Sequence, residues 1–150
     1  MAKYRKENQS FWRLCFVAYC GLMLWLLFGQ RWGTEVYAQQ LAESINLTPL
    51  TTIKRYWHVL QNTKNASMLR HAVINLVGNV VMFIPLGYCL PRIWRRFRSF
   101  FPTIMLSVLL IVAVETIQYF TKLGTCDIDD LILNTLGACM GYILFKIKHR

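Results

Sequence analysis

Apolar residues in this chain gather into four long blocks separated by polar, charged stretches. The first, residues 11–28, reads FWRLCFVAYCGLMLWLLF, and the second, 72–90, reads AVINLVGNVVMFIPLGYCL. The third, 101–120, is FPTIMLSVLLIVAVETIQYF, and the fourth covers 129–147. Each approaches the roughly 20 residues that a helix needs to cross the ~30 Å hydrocarbon core of a bilayer. Blocks two and four are diluted by Asn, Gly and Pro, which in a bilayer must face other helices or a polar cavity. The pattern predicts an all-α fold: a four-transmembrane-helix bundle forming one domain over residues 1–150.

Between the first two blocks lies a long loop, 29–71, with structure of its own. Val36, Tyr37, Leu41, Ser44 and Ile45 trace a broad helical stripe. NLTPL, 46–50, is a break, because Pro49 disfavours helix at the residue before it. Beyond it Ile53, Tyr56, Trp57 and Leu60 fall at helical spacing, with Thr51 or Thr52 available as a cap. Lys54, Arg55 and His58 lie off that stripe, so the segment reads as an amphipathic interfacial helix or a lid on the bundle. The first block is longer than a signal-peptide core and no small-x-small cleavage site follows it, so it is expected to be a retained span.

Composition fits this picture, with 55% apolar and 14% aromatic residues in 150. The formal net charge of +10 invites a nucleic-acid reading, but the placement of the charges argues against one. Eleven of the 17 basic residues flank the spans on one side: Lys3, Arg5, Lys6, Arg13, Arg92, Arg95, Arg96, Arg98, Lys146, Lys148 and Arg150. The other six are thinly spread over loops on the opposite side. The positive-inside rule then sets both termini in the cytoplasm and the 29–71 loop outside, with membrane lipid as the partner of the basic residues. Cys15, Cys20, Cys89 and Cys139 sit within apolar blocks and Cys126 is alone in its loop, so neither a disulfide framework nor a zinc site is expected.

The remaining polar letters converge. Blocks two and four run inward in this topology and block three outward. Asn75 and Asn79, Glu115 and Gln118, and Asp127, Asp130 and Asn134 therefore share one slice of the membrane. Asn75 and Asn79 are one turn apart on one helix face. At 100° per residue Asp127, Asp130, Asn134, Gly137 and Gly141 occupy an arc of about 80°, with Asp129 far off it. Gly137 and Gly141, a Gly-x-x-x-Gly pair, would let a neighbouring helix approach closely. Each residue has a structural reading too. Asp127 or Asp129 can cap the helix, and the asparagines can bond between helices. A carboxyl at Glu115, about two turns inside a span, is harder to place without a partner, a proton or water. Together the set points to a polar, acidic ligand-binding pocket.

These residues carry a family resemblance. NLTPL followed by Ile53, NLVGNVVMFIPLG from Asn75, ETIQYF from Glu115 and DIDDLILNTLGACMGY from Asp127 resemble the VanZ-like family of bacterial membrane proteins, in order and with family-like spacing. The combination covers the chain from Asn46 onward. Many members place an arginine shortly before the first Asp of the last motif. Here LGTC stands there, with Lys122 the nearest cation and no bidentate fork to offer. The family takes its name from a protein associated with low-level resistance to the glycopeptide teicoplanin. The resemblance implies a role at the outer surface of the cytoplasmic membrane, where glycopeptides and lipid-linked wall precursors meet.

Two function classes follow. In the first, a non-enzymatic membrane factor binds a lipid head group, a wall precursor, the glycopeptide or a divalent cation in the pocket; a hard cation would find oxygen ligands there. In the alternative, a membrane enzyme acts on a lipid-linked wall precursor, with Glu115 and Asp127 or Asp130 dividing acid and base roles and His71 assisting. No G-x-S-x-G, H-E-x-x-H or activated nucleophile supports catalysis, so the first reading is favoured. Oligomeric state has no signal in the sequence.

Overall fold

The computed structural model of the chain describes residues 9–29, 45–121, 123 and 126–149. Its order is α1 (Gln9–Gly29), β1 (Ile45–Asn46), α2 (Thr51–Asn62), α3 (Ala66–Ile93), α4 (Phe100–Phe120), β2 (Cys126–Asp127) and α5 (Ile128–Lys148). Helices α1, α3, α4 and α5 are long and apolar enough to cross a membrane, as the four blocks predict. The stripe at Val36, Tyr37, Leu41 and Ser44 lies outside the described residues, as do Lys3, Arg5, Lys6, Lys122 and Arg150.

Local chemistry sets the helix ends. Asn65, in extended conformation, accepts the Ser67 N–H at 3.0 Å and so caps α3 ahead of the second apolar block. The helix therefore starts six residues before the block does. At its other end Trp94 turns to extended backbone, and a short 3₁₀ turn, Arg95–Arg98, leads to α4. Pro102 stands in the first turn of α4, where no intrahelical partner awaits its missing N–H. Inside α3 a widened π-helical turn, Ile74–Gly78, precedes Asn79.

Helix α3 is central. It packs most intimately on α5, and more lightly on α1 and α4. Three glycines bring the α3 and α5 backbones together. A Cβ at Gly137 would lie 2.0 Å from the Val80 carbonyl oxygen, one at Gly141 2.0 Å from that of Ile84, and one at Gly87 1.9 Å from that of Ala138. The Val80–Gly137 and Ile84–Gly141 pairings advance together along both helices, so α3 and α5 run parallel. Met23, Phe83, Leu86, Leu90 and Ile111 form the apolar core. Among α1 residues only Met23 is buried; Leu14 and Val17 are about two-thirds exposed, a surface suited to lipid rather than water.

The parallel course of α3 and α5, with α1 and α4 opposed, gives the bundle two unlike ends. One gathers Arg92, Arg95, Arg96, Arg98, Lys146 and Lys148. There the buried Arg92 guanidinium lies 4.1 Å from the Trp12 ring and 4.4 Å from that of Tyr88, and donates to the Tyr88 hydroxyl at 2.7 Å. The other end gathers the starts of α3 and α5, the end of α4 and helix α2. It also holds one element beyond the helices. β1 and β2 pair in parallel, with Ile45 opposite Cys126 and Asn46 opposite Asp127.

Candidate functional site

The acidic end is built from the first turn of α5. Asp127 is extended, and its Oδ1 accepts the Asp129 N–H at 2.9 Å, so it is the N-cap of α5. The β1–β2 pairing sets Asn46 beside it. Asn46 Nδ2 donates to Asp127 Oδ1 at 3.3 Å and to Thr52 Oγ1 at 3.1 Å, while Thr52 Oγ1 donates to Asp127 Oδ2 at 2.6 Å. Both carboxylate oxygens of Asp127 are thus engaged by the protein.

Asp129, fully buried, has a different task. Leu50 precedes α2 with φ of 66° and offers no side-chain cap. The first amides of a helix need acceptors, and a carboxylate there also meets the positive end of the helix dipole. Asp129 supplies both from a distant part of the chain. Its Oδ1 accepts the Leu50 N–H at 2.5 Å, and its Oδ2 accepts the Thr52 and Ile53 N–H groups at 2.7 and 3.0 Å. The expected cap, Thr51 or Thr52, is not what serves. Helix α2 begins at Thr51, and Thr52 lies inside the first turn with its hydroxyl turned to Asp127.

Asp130 faces α3. Asn79 Nδ2 donates to its Oδ1 at 2.5 Å. One turn before Asn79, Asn75 Oδ1 is buried. One turn after Asp130, Asn134 is 3% exposed with its Oδ1 buried. No hydrogen-bond donor among the described residues reaches either oxygen. From α2, the Tyr56 phenol comes within the field of this group; burial first and the Asp130 charge second raise its pKa, with Arg55 opposing.

The two α4 residues turn to other neighbours. Gln118, buried, donates from Nε2 to the Leu27 carbonyl of α1 at 3.3 Å. Half-buried Glu115 is close enough to Cys126 to act on its thiol, whose pKa burial raises first, Glu115 next and Asp127 last. Of the residues singled out from sequence, then, the structure joins Asn79 to Asp130 and sets Asn75 and Asn134 on either side. Asp127 belongs to the fastening of α2, and Gly137 and Gly141 lie against the α3 backbone just inward of Asn134. Among the described residues no three His, Cys, Asp or Glu side chains are grouped so as to hold a metal ion.

Sequence reasoning missed Asn46, Thr52, Asp129 and the placing of Tyr56. The sequence offered Thr51 or Thr52 as the cap; only with α2 starting at Thr51, after Leu50, do its first amides require an acceptor from elsewhere.

A family model described as VanZ/LLP1 matches residues 16–149. The chain is also similar to Protein VanZ of Enterococcus faecium, at 26% identity over 133 residues, covering 88% of this chain and 71% of that one. No solved structure matches.

Proposed function

This chain belongs to the VanZ/LLP1 family, and from that premise we propose that it is a bacterial cytoplasmic-membrane protein that lowers the action of teicoplanin-type glycopeptides. It does so by binding the polar part of an amphiphile in an acidic pocket at the outer leaflet. The amphiphile is a lipid head group, a lipid-linked wall precursor or the glycopeptide itself. Orientation rests on charge: Arg13, Arg92, Arg95, Arg96, Arg98, Lys146 and Lys148 flank the spans at one end, which the positive-inside rule assigns to the cytoplasm. The acidic end then faces outward, and α2 rests at the interface with exposed Trp57 toward lipid.

The observation that carries this reading is the Asn79–Asp130 bond with a buried amide oxygen on each side. Such groups in a membrane helix pair are costly and mark functional sites by default. The catalytic alternative draws less support, because Asp127, one of its carboxylates, is held on both oxygens as a cap.

The test is glycopeptide susceptibility of cells carrying the wild type, Asn79→Ala or Asp130→Asn, at matched membrane levels. Loss of protection with normal folded protein is expected. Full protection by both variants sinks the reading, and loss only in step with folded yield reduces the seam to structural glue.

A further inference from the structure

Hydrogen bonding divides the polar groups of the acidic end into two sets. Asp127 and Asp129 are occupied in fastening α2 to α5, and Gln118 in holding α1. Apart from these, the α3–α5 seam holds the Asn79–Asp130 pair and, beside it, two buried carbonyl oxygens, Asn75 Oδ1 and Asn134 Oδ1. Asn134 lies in the α3–α5 seam itself. Asp130, one turn before it, bonds Asn79, and Gly137, three residues after it, touches Val80. It is 3% exposed, and no donor among the described residues reaches its oxygen.

Both unmet atoms are acceptors, and so is the carboxylate between them. A buried acceptor without a donor is destabilising, and a bilayer offers no bulk water to meet it. Phosphate or carboxylate ligands bring further acceptors and a like charge. An ammonium brings three donors and the opposite charge. Residues four apart on a helix have Cβ atoms about 5–6 Å apart, so one nitrogen can donate to Asp130 and Asn134 together. We infer that the seam recognises a primary ammonium group, seated between the Asp130 carboxylate and the Asn134 carbonyl. This rests on the proposed pocket and names the chemistry it selects. The amine can come from a lipid head group or from a peptide.

The full chain in nanodiscs of phosphatidylcholine, whose head group has no N–H, is titrated with dodecylammonium, dodecyltrimethylammonium and dodecyl phosphate. The two cations carry the same charge and differ in donors. Saturable binding of the primary ammonium about tenfold or more above the quaternary one is expected, the factor set by one charge-assisted hydrogen bond. Asn134→Leu should bring that ratio towards one without lowering the thermal midpoint, since it also removes the unmet acceptor. Asn134→Asp, which keeps the acceptor, should retain the preference. If Asn134→Leu does not fold, the wild-type pair of cations still decides. Equal binding of the two cations overturns the inference. Dodecyl phosphate binding that depends on Asn79 and Asp130 also overturns it, while leaving the head-group pocket standing. No saturable probe at all sinks both. Retention of phosphatidylethanolamine doped into the discs assigns the amine to lipid; displacement of dodecylammonium by a soluble tripeptide with a free α-amine assigns it to peptide.

Discussion

Asn79 and Asp130, 51 residues apart in sequence, meet at 2.5 Å across the seam between the second and fourth spans. A charge-assisted bond of this kind, sheltered from bulk water, contributes about 1.5–3 kcal/mol. A double-mutant cycle of Asn79→Ala and Asp130→Ala, read by unfolding in mild detergent, should return a coupling energy in that range. Additive single effects would mean that the two side chains do not act as a pair.

Removing Asp129 should loosen α2 while leaving the spans in place. Its carboxylate accepts three backbone amides, and each hydrogen bond to a charged group is worth about 1.5–3 kcal/mol. In Asp129→Ala, hydrogen exchange should speed up at Leu50, Thr52 and Ile53 far more than in α5. Unchanged protection at those amides would show that another acceptor takes over.

Leu50 holds a left-handed φ of 66°, which costs a side-chain-bearing residue roughly 1–2 kcal/mol. Glycine adopts it without that strain. Leu50→Gly should therefore leave the thermal midpoint unchanged or raise it, whereas Leu50→Val should lower it.

The glycines of the seam and the glycine of the first span predict opposite outcomes. Gly137→Ala forces a methyl against the Val80 carbonyl at 2.0 Å, so the backbones must part, an overpacking cost of about 1–3 kcal/mol. Gly21→Ala meets nothing within 4 Å and gains helix propensity of about 1 kcal/mol. Folded yield in membranes should fall in the first variant and hold in the second.

Cys126 reports on Glu115. Burial, then Glu115, then Asp127 raise its thiol pKa, so at pH 8 it holds less thiolate than a free cysteine and alkylates more slowly. Removing the negative charge in Glu115→Gln lowers that pKa, and the pH–rate curve for alkylation should shift to lower pH. A shift to higher pH would contradict the placement of Glu115 beside the thiol.

Much of this architecture is written in side-chain letters. Three of the four apolar blocks fall within one or two residues of the ends of α1, α4 and α5. Helix α3 starts earlier because its first turns, Ala66 to His71, are polar and amphipathic, and apolar content alone hides them. Helical spacing put Asn79 and Asp130 at one level, and the fold joins them directly. Asp129 resisted reading for a physical reason: its partners are backbone amides, which every residue has and no letter announces. Helical spacing does not say which neighbour the Gln118 amide will face, and α1 supplied the acceptor.

The fastening of α2 has a consequence for biosynthesis. Its backbone amides at residues 50–53 are met by a carboxylate 76 to 79 residues later, and β1 waits for β2 over a similar distance. While the ribosome is still delivering the third span, that helix start has no acceptor from Asp129. Emergence of the fourth span closes the clasp, so a chain that stops short of Asp129 leaves the first amides of α2 without this carboxylate.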